Sequence, residues 1–255
     1  MRSQHQVPPF PIRRRRRQTT CAALVLAVAA LVWAAFDWPA VSIESVQTTE
    51  ATHPMGTLYW GGAGLDGPYV QPQIDAFERA EISSVRAGKT LSATNQPLLG
   101  PMGMFVDALR AGSTYRYRSD QPWRIIGMDA QARQFNLIGY SYGSLLAAQT
   151  AAYYADQGQT VDHLVLIGSP IDRDFLFSLQ HNPRIRKVVV INLTQFGDPI
   201  FAGMTQVAVA KSMPTIRAQM ARQAGQGHFY YAQIVPDSQE RWAALATRLH
   251  REGLR

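Results

Sequence analysis

The 255-residue chain predicts an α/β fold, a mainly parallel sheet flanked by helices, with one apolar membrane segment ahead of it. Three features carry this expectation. Residues 135–154, FNLIGYSYGSLLAAQTAAYY, change character in their middle. Phe135 to Gly139 reads as a short buried strand, and from Ser144 on the apolar Leu145, Ala148, Ala152 and Ala155 recur at helical spacing. Further on, residues 162–168 and 187–193 are near-continuous apolar runs separated by a helical segment at 175–180, the pattern of parallel strands covered on both faces. Near the start, residues 21–36, CAALVLAVAALVWAAF, carry no charge at all.

Composition bounds what such a chain can do. At 46% hydrophobic and 17% charged residues it has the make-up of one globular domain with a short appendage. The net charge of +7 is lopsided, because Arg2 and Arg13 to Arg17 supply six of the seven and residues 1–17 contain no acid. The remainder carries +1, which excludes nucleic-acid binding as its main work.

Residues 1–18 therefore read as a basic cytoplasmic N-terminus and residues 19–36 as a transmembrane signal anchor. Sixteen to eighteen helical residues span about 24 to 27 Å, slightly short of a hydrocarbon core of about 30 Å. Arginines ahead of such a segment stay on the cytoplasmic side, so the chain after Asp37 emerges on the periplasmic or extracellular face. A cleaved signal peptide competes with the anchor. Ala40-Val41-Ser42 offers a small-x-small cleavage site, and the domain would then be secreted. The single cysteine, Cys21, lies in the apolar segment, which leaves the exported part without a thiol nucleophile or an internal disulfide.

Residues 37–56, polar and bracketed by Pro39 and Pro54, read as a linker, and residues 57–255 as the folded domain. The domain opens with a short strand at 57–60, followed at once by the loop GGAGLDG at 61–67. That loop lacks both the Lys-Ser/Thr ending of a P-loop and the G-x-G-x-x-G spacing of a dinucleotide site. A helix is expected over 73–80 and a strand over 84–87, and residues 88–121 are mixed. Within them the apolar stretch 97–105 reads as core or as the wall of an acyl pocket. Residues 123–128 are ambiguous, and residues 238–251 form an amphipathic segment. No metal-ligand cluster and no cofactor motif appears.

Gly139-Tyr140-Ser141-Tyr142-Gly143 sits where the strand turns into the helix. This G-x-S-x-G spacing suits a serine in a strained turn, since side chains two positions before and after it would collide with neighbouring backbone. The stretch NLIGYSYG, residues 136–143, resembles the nucleophile elbow of α/β-hydrolase-fold serine hydrolases. The resemblance covers roughly residues 57–250 and implies a compact α/β-hydrolase fold, truncated at its start, because only about twenty residues separate the apolar segment from the first strand. It gives GGAGLDG the place of the loop that supplies half of the oxyanion hole, with the Gly62 N–H as donor, Gly61 and Ala63 close behind, and the N–H of Tyr142 as its partner. The loop lacks the His-Gly pair seen in many relatives.

The same resemblance puts the acid at Asp198, in the Gly-Asp-Pro loop after the strand at 187–193. Asp172 and Asp174, after the preceding strand, are its rivals. For the base, His228 lies in the glycine-bounded loop GQGHF in the order Ser, Asp, His, whereas His250 falls in the amphipathic C-terminal segment. The implied activity is hydrolysis of acyl or lipid-like esters through an acyl-enzyme, with residues 97–105 and 200–209 supplying apolar surroundings. A thioesterase or acyltransferase would use the same residues. A membrane-anchored binding protein on a catalytically silent hydrolase fold is the alternative from another class.

The topology expected from the arginine run is directly measurable. A reporter active only after export, fused to the C-terminus, is expected to be active, with the protein in the membrane fraction. A silent reporter, or full recovery in the cytosolic fraction, contradicts it.

Overall fold

The computed structural model describes residues 43–45, 54–62, 67–90, 125–126, 128–129 and 131–255. The predicted anchor at 19–36, the basic residues 1–18 and the apolar stretch 97–105 lie outside the described residues. In chain order the elements are β1 (Ile43–Ser45), β2 (Gly56–Trp60), α1 (Val70–Arg79), β3 (Val85–Thr90), β4 (Ile125–Ile126), β5 (Phe135–Tyr140) and α2 (Tyr142–Asp156). They continue with β6 (His163–Ile167), α3 (Arg173–Gln180), β7 (Val188–Ile191), α4 (Gln206–Arg222) and α5 (Ser238–Glu252). Short 3-10 turns at Thr194–Phe196 and Gly227–Phe229 sit in the loops before α4 and α5.

The strands form one sheet in the order β4-β1-β3-β2-β5-β6-β7. From β3 to β7 all neighbours are parallel, while β1 runs antiparallel to β3 and parallel to β4. Alternate side chains of the central strands enter two different cores. Leu58, Trp60, Leu137, Leu164 and Leu166 pack on one face with Leu145, Leu146 and Tyr154 of α2 and with Phe175 and Leu179 of α3. Tyr59, Ile138, Val165 and Ile167 pack on the other with Ile74 and Phe77 of α1 and with Trp242, Leu245 and Leu249 of α5. Burial on both faces is why these strands read as continuous apolar runs rather than alternating ones.

The fold departs from the sequence reading in two places. Residues 37–56 were expected to be linker, yet β1 falls within them and joins the sheet ahead of the glycine loop, so the start is less truncated than expected. Three residues are too few for a period of two to register. The 17-residue helix α4 was not expected at all. Its apolar Val209, Met213, Ile216 and Met220 do recur at helical spacing, but only Val209 and Ile216 are buried and Pro214 sits among them, so the segment does not read as an uninterrupted helix.

Register brings the carboxyl ends of the strands level. Trp60 lies opposite Gly139, and Gly139 opposite Leu166, so the chain leaves β2, β5 and β6 at one edge of the sheet. Ser141 follows β5 there with φ 53° and ψ −126°, in the sparsely populated positive-φ half of backbone space. Both framing glycines are demanded by contacts. A Cβ on Gly139 would lie 2.3 Å from Ser144 Cα, and one on Gly143 would lie 2.0 Å from the Gly61 carbonyl oxygen and 2.7 Å from that of Trp60. The glycine loop after β2 is thus pressed onto the elbow backbone to backbone.

Gly143→Ala should therefore push these two backbones apart and lower stability by about 1–3 kcal/mol or more, as overpacked cores do. Gly158→Ala is the control, since a Cβ there meets nothing within 4 Å and only the positive φ opposes it. Urea unfolding of both variants checks this. A loss at Gly143 no larger than at Gly158 contradicts the close approach.

Candidate active site

Ser141 and His228, 87 residues apart in sequence, meet at the sheet edge with Oγ 2.7 Å from Nε2. On the other side of the ring, His228 Nδ1 is 2.9 Å from Asp198 Oδ2 and 3.1 Å from Oδ1. A carboxylate only accepts, so in the neutral ring Nδ1 carries the proton and Nε2 presents its lone pair to the serine hydroxyl. All three residues are buried, and the Asp198 side chain is fully so. Its Oδ1 also accepts the Ile200 N–H at 2.8 Å. The three predicted residues are brought together in the predicted order.

Each of these side chains is held by the loop that carries it. Gly168, at the end of β6, has φ 52°, and a Cβ there would come within 3.2 Å of Asp198 Oδ2, so the glycine leaves room for the acid. The His228 backbone is gripped from two sides. Its N–H donates to Gln219 Oε1 at 2.9 Å, and its carbonyl accepts from the Tyr140 hydroxyl. The Gln219 amide donates in turn to the Gly197 carbonyl at 2.8 Å, so one side chain of α4 ties the acid loop to the histidine loop. A second tie is a stack in which the Phe196 and Tyr230 rings lie 3.6 Å apart at 7° and the Arg241 guanidinium sits 4.1 Å over Tyr230. Burial above all, with Tyr69 and the Asp198 carboxylate adding to it, pushes the Tyr140 hydroxyl well above its ordinary pKa. It therefore stays a donor to His228.

The serine opens into a cavity of about 330 Å³. Gly62, Tyr69, Ser141, Tyr142 and His228 line it at the sheet edge. Its outer wall is apolar, from Ile200, Val209, Met213, Ile216, Met220 and Phe229. Two of these, Ile200 and Val209, come from the stretch 200–209 expected near the site, and the others lie on α4 and the histidine loop. The Gly62 N–H donates to the Tyr69 hydroxyl at 2.6 Å, so the predicted oxyanion donor already has a partner.

Residues 126–249 match the family model of the thioesterase domain, a span that holds the elbow, the acid loop and the histidine loop. The thioesterase domain family is itself part of the α/β-hydrolase superfamily. Among solved structures, the dienelactone hydrolase of Anabaena variabilis aligns over 85% of this chain and 99% of its own at 12% identity, with a TM-score of 0.34. A bacterial heroin esterase aligns over 93% of this chain and 90% of its own at 16% identity, with a TM-score of 0.35. No curated protein matches.

The rivals for the acid and the base have other occupations in this domain. Asp172 caps α3, its carboxylate accepting the Phe175 N–H at 2.9 Å, and Asp174 lies exposed in the first turn of that helix. His250 sits on α5 with Nε2 3.6 Å from Glu81. Tyr69, Tyr140 and Gln219 were not foreseen as parts of the site. Tyr140 stood inside the elbow motif, and a polar glutamine on an apolar-walled helix is a signal only once α4 is known.

Asp198→Asn should lower turnover about 10⁴-fold, because the amide can hold the wrong imidazole tautomer. Asp172→Ala should leave turnover intact and lower stability by about 1 kcal/mol through the lost cap. Turnover of a short-chain nitrophenyl ester and thermal unfolding separate the two. Near-normal turnover in Asp198→Asn with collapse in Asp172→Ala reverses the assignment.

Proposed function

We propose that this domain hydrolyses carboxylic esters of apolar acyl groups, with Ser141 as nucleophile, His228 as base and acid, and Asp198 as the partner of the imidazole. The observation that carries the reading is the run of hydrogen bonds from Ser141 Oγ through His228 to Asp198, opening into an apolar cavity. His228 Nε2 takes the hydroxyl proton as Oγ bonds to the carbonyl carbon, and Asp198 stabilises the imidazolium without itself being protonated. The oxyanion is met by the Tyr142 N–H in the first turn of α2 and by a second donor on the glycine-loop side of the site. When the tetrahedral intermediate collapses, the bond to the leaving oxygen breaks and that oxygen departs with the proton held by His228. Water, deprotonated by the same nitrogen, then attacks the acyl-enzyme and releases the acid.

The cavity has room for roughly ten heavy atoms at about 30 Å³ each. Its walls favour an acyl chain over a charged peptide. The match to the thioesterase domain favours a thioester as second reading, in which a thiol leaves in place of the alcohol and the other steps are unchanged. Turnover of an acyl thioester against the oxygen ester of the same chain decides between them. The same proposal places the domain outside the cytoplasm, tethered through residues 19–36 or released after cleavage.

Ser141→Ala and His228→Ala should act as one unit. Each alone is expected to remove nearly all turnover, about a million-fold where such a pair has been dissected, and the double variant to lose little more. The measurement is turnover per folded molecule, with folding followed by far-UV circular dichroism. A well-folded His228→Ala that still hydrolyses ester near the wild-type rate removes His228 from the mechanism.

A further inference from the structure

We propose that the Tyr69 hydroxyl is the oxyanion donor on the glycine-loop side of the site, standing between the Gly62 N–H and the substrate oxygen. This rests on the hydrolase reading above and refines it. The loop carrying Gly62 is fixed against the elbow, since a Cβ on Gly143 would overlap the Gly61 carbonyl. The Gly62 N–H is therefore where a donor for Ser141 chemistry belongs, but it is directed at Tyr69 Oη at 2.6 Å. One N–H cannot point fully at two acceptors, so the substrate oxygen meets what stands in front of it.

A phenol hydroxyl suits that position. It accepts through a lone pair and donates through its proton, so the same atom takes the Gly62 N–H and gives a hydrogen bond to the developing oxyanion. Accepting the amide proton polarises the O–H and strengthens it as a donor. Tyr69 lines the same cavity as Ser141, Tyr142 and His228 while only 6% of its surface is exposed, so its hydroxyl works in a largely water-excluded place. Tyr140, which also lines the cavity, gives its hydroxyl to the His228 carbonyl.

The ring is also preorganised, as a transition-state donor needs to be. It crosses Gly67, where a Cβ would lie 2.3 Å from Tyr69 Cε1, and meets the Tyr140 ring edge-on at 5.9 Å between centroids. Tyr69 is the N-cap residue of α1, and that helix is pinned close by. Gln73, one turn along, accepts from the Tyr59 hydroxyl at 2.5 Å and donates to the Tyr231 carbonyl at 2.7 Å. The donor is thus fixed to the sheet on one side and to the segment after His228 on the other.

Tyr69→Phe keeps the ring and removes the donor. It should lower kcat about 10²–10³-fold, the range for one oxyanion donor, with KM little changed. A trifluoromethyl ketone, which forms a reversible tetrahedral adduct on the serine, should lose affinity in parallel, whereas the matching amide, a ground-state analogue, should not. If Tyr69 merely blocks the Gly62 N–H, the variant is at least as active as wild type, and if it merely packs, the thermal midpoint falls while kcat holds. Either result overturns the inference. Should Tyr69→Phe not fold, 3,5-difluorotyrosine in place of Tyr69 provides the readout. Its more acidic phenol should lose the proton, and with it turnover, at a lower alkaline pH than wild type, and an unchanged pH profile overturns the inference. Labelling of the wild type by a fluorophosphonate is the parent check. A labelled, active wild type with an equally active Tyr69→Phe sinks only this inference, and an unreactive wild type sinks the hydrolase reading with it.

Discussion

Ser141 holds a backbone conformation that an L-residue avoids, at φ 53° and ψ −126°, and much of the domain exists to hold it there. Such a conformation costs of order 1–3 kcal/mol and persists only where its surroundings over-determine it. Here the Ser141 N–H donates to the Ile167 carbonyl at 2.8 Å and its carbonyl accepts the Ser144 N–H at 3.0 Å. On one side stands β5, buried at all six positions, and on the other α2, buried at eleven of fifteen. Each large apolar side chain so buried contributes about 1.5–3 kcal/mol, so a few of them offset the strain. Small residues such as Ala147, Ala148 and Ala151 let α2 lie close to the sheet, which brings its first turn against the glycine loop.

The second constraint is a carboxylate without water. Asp198 is taken out of solvent completely, and a buried charge is tolerable only with its hydrogen-bonding capacity filled. The Ile200 N–H and His228 Nδ1 are hydrogen-bonded to it, so the acid and the histidine depend on each other for stability. This explains why their loops are tied twice, by the Gln219 amide and by the stacked Phe196, Tyr230 and Arg241. A loop able to swing would break the pair and leave the charge alone.

The parts of this arrangement that sequence reveals are those enforced by short-range contact. The elbow is legible because Gly139 and Gly143 are each required by backbone a few ångströms away, and β6 because burial on two faces leaves an unbroken apolar run, which β7 shares although its Val188 and Val190 are only half-buried. Asp198 and Asp172 looked alike, both acids just past a strand. Only the observed start of α3 at Arg173 shows that Asp172 caps a helix instead. β1 is too short to leave a pattern, and α4 carries Pro214 and buries only two side chains. Tyr69 answers to no period, for its bond to Gly62 closes a seven-residue loop through ring placement alone.

α4 has a consequence for how binding and chemistry divide. Met213 and Met220 line the cavity while 42% and 55% exposed, so an acyl chain laid against them covers apolar surface that is wet in its absence. At about 25 cal/mol per Å², that burial supplies affinity felt equally in the ground and transition states, which lowers KM without raising kcat. Rate must come instead from groups that meet charge only as it develops, and these sit on the sheet edge and its loops. The two sets are not mechanically independent. Gln219, one residue before Met220 on the same helix, holds the His228 N–H and the Gly197 carbonyl.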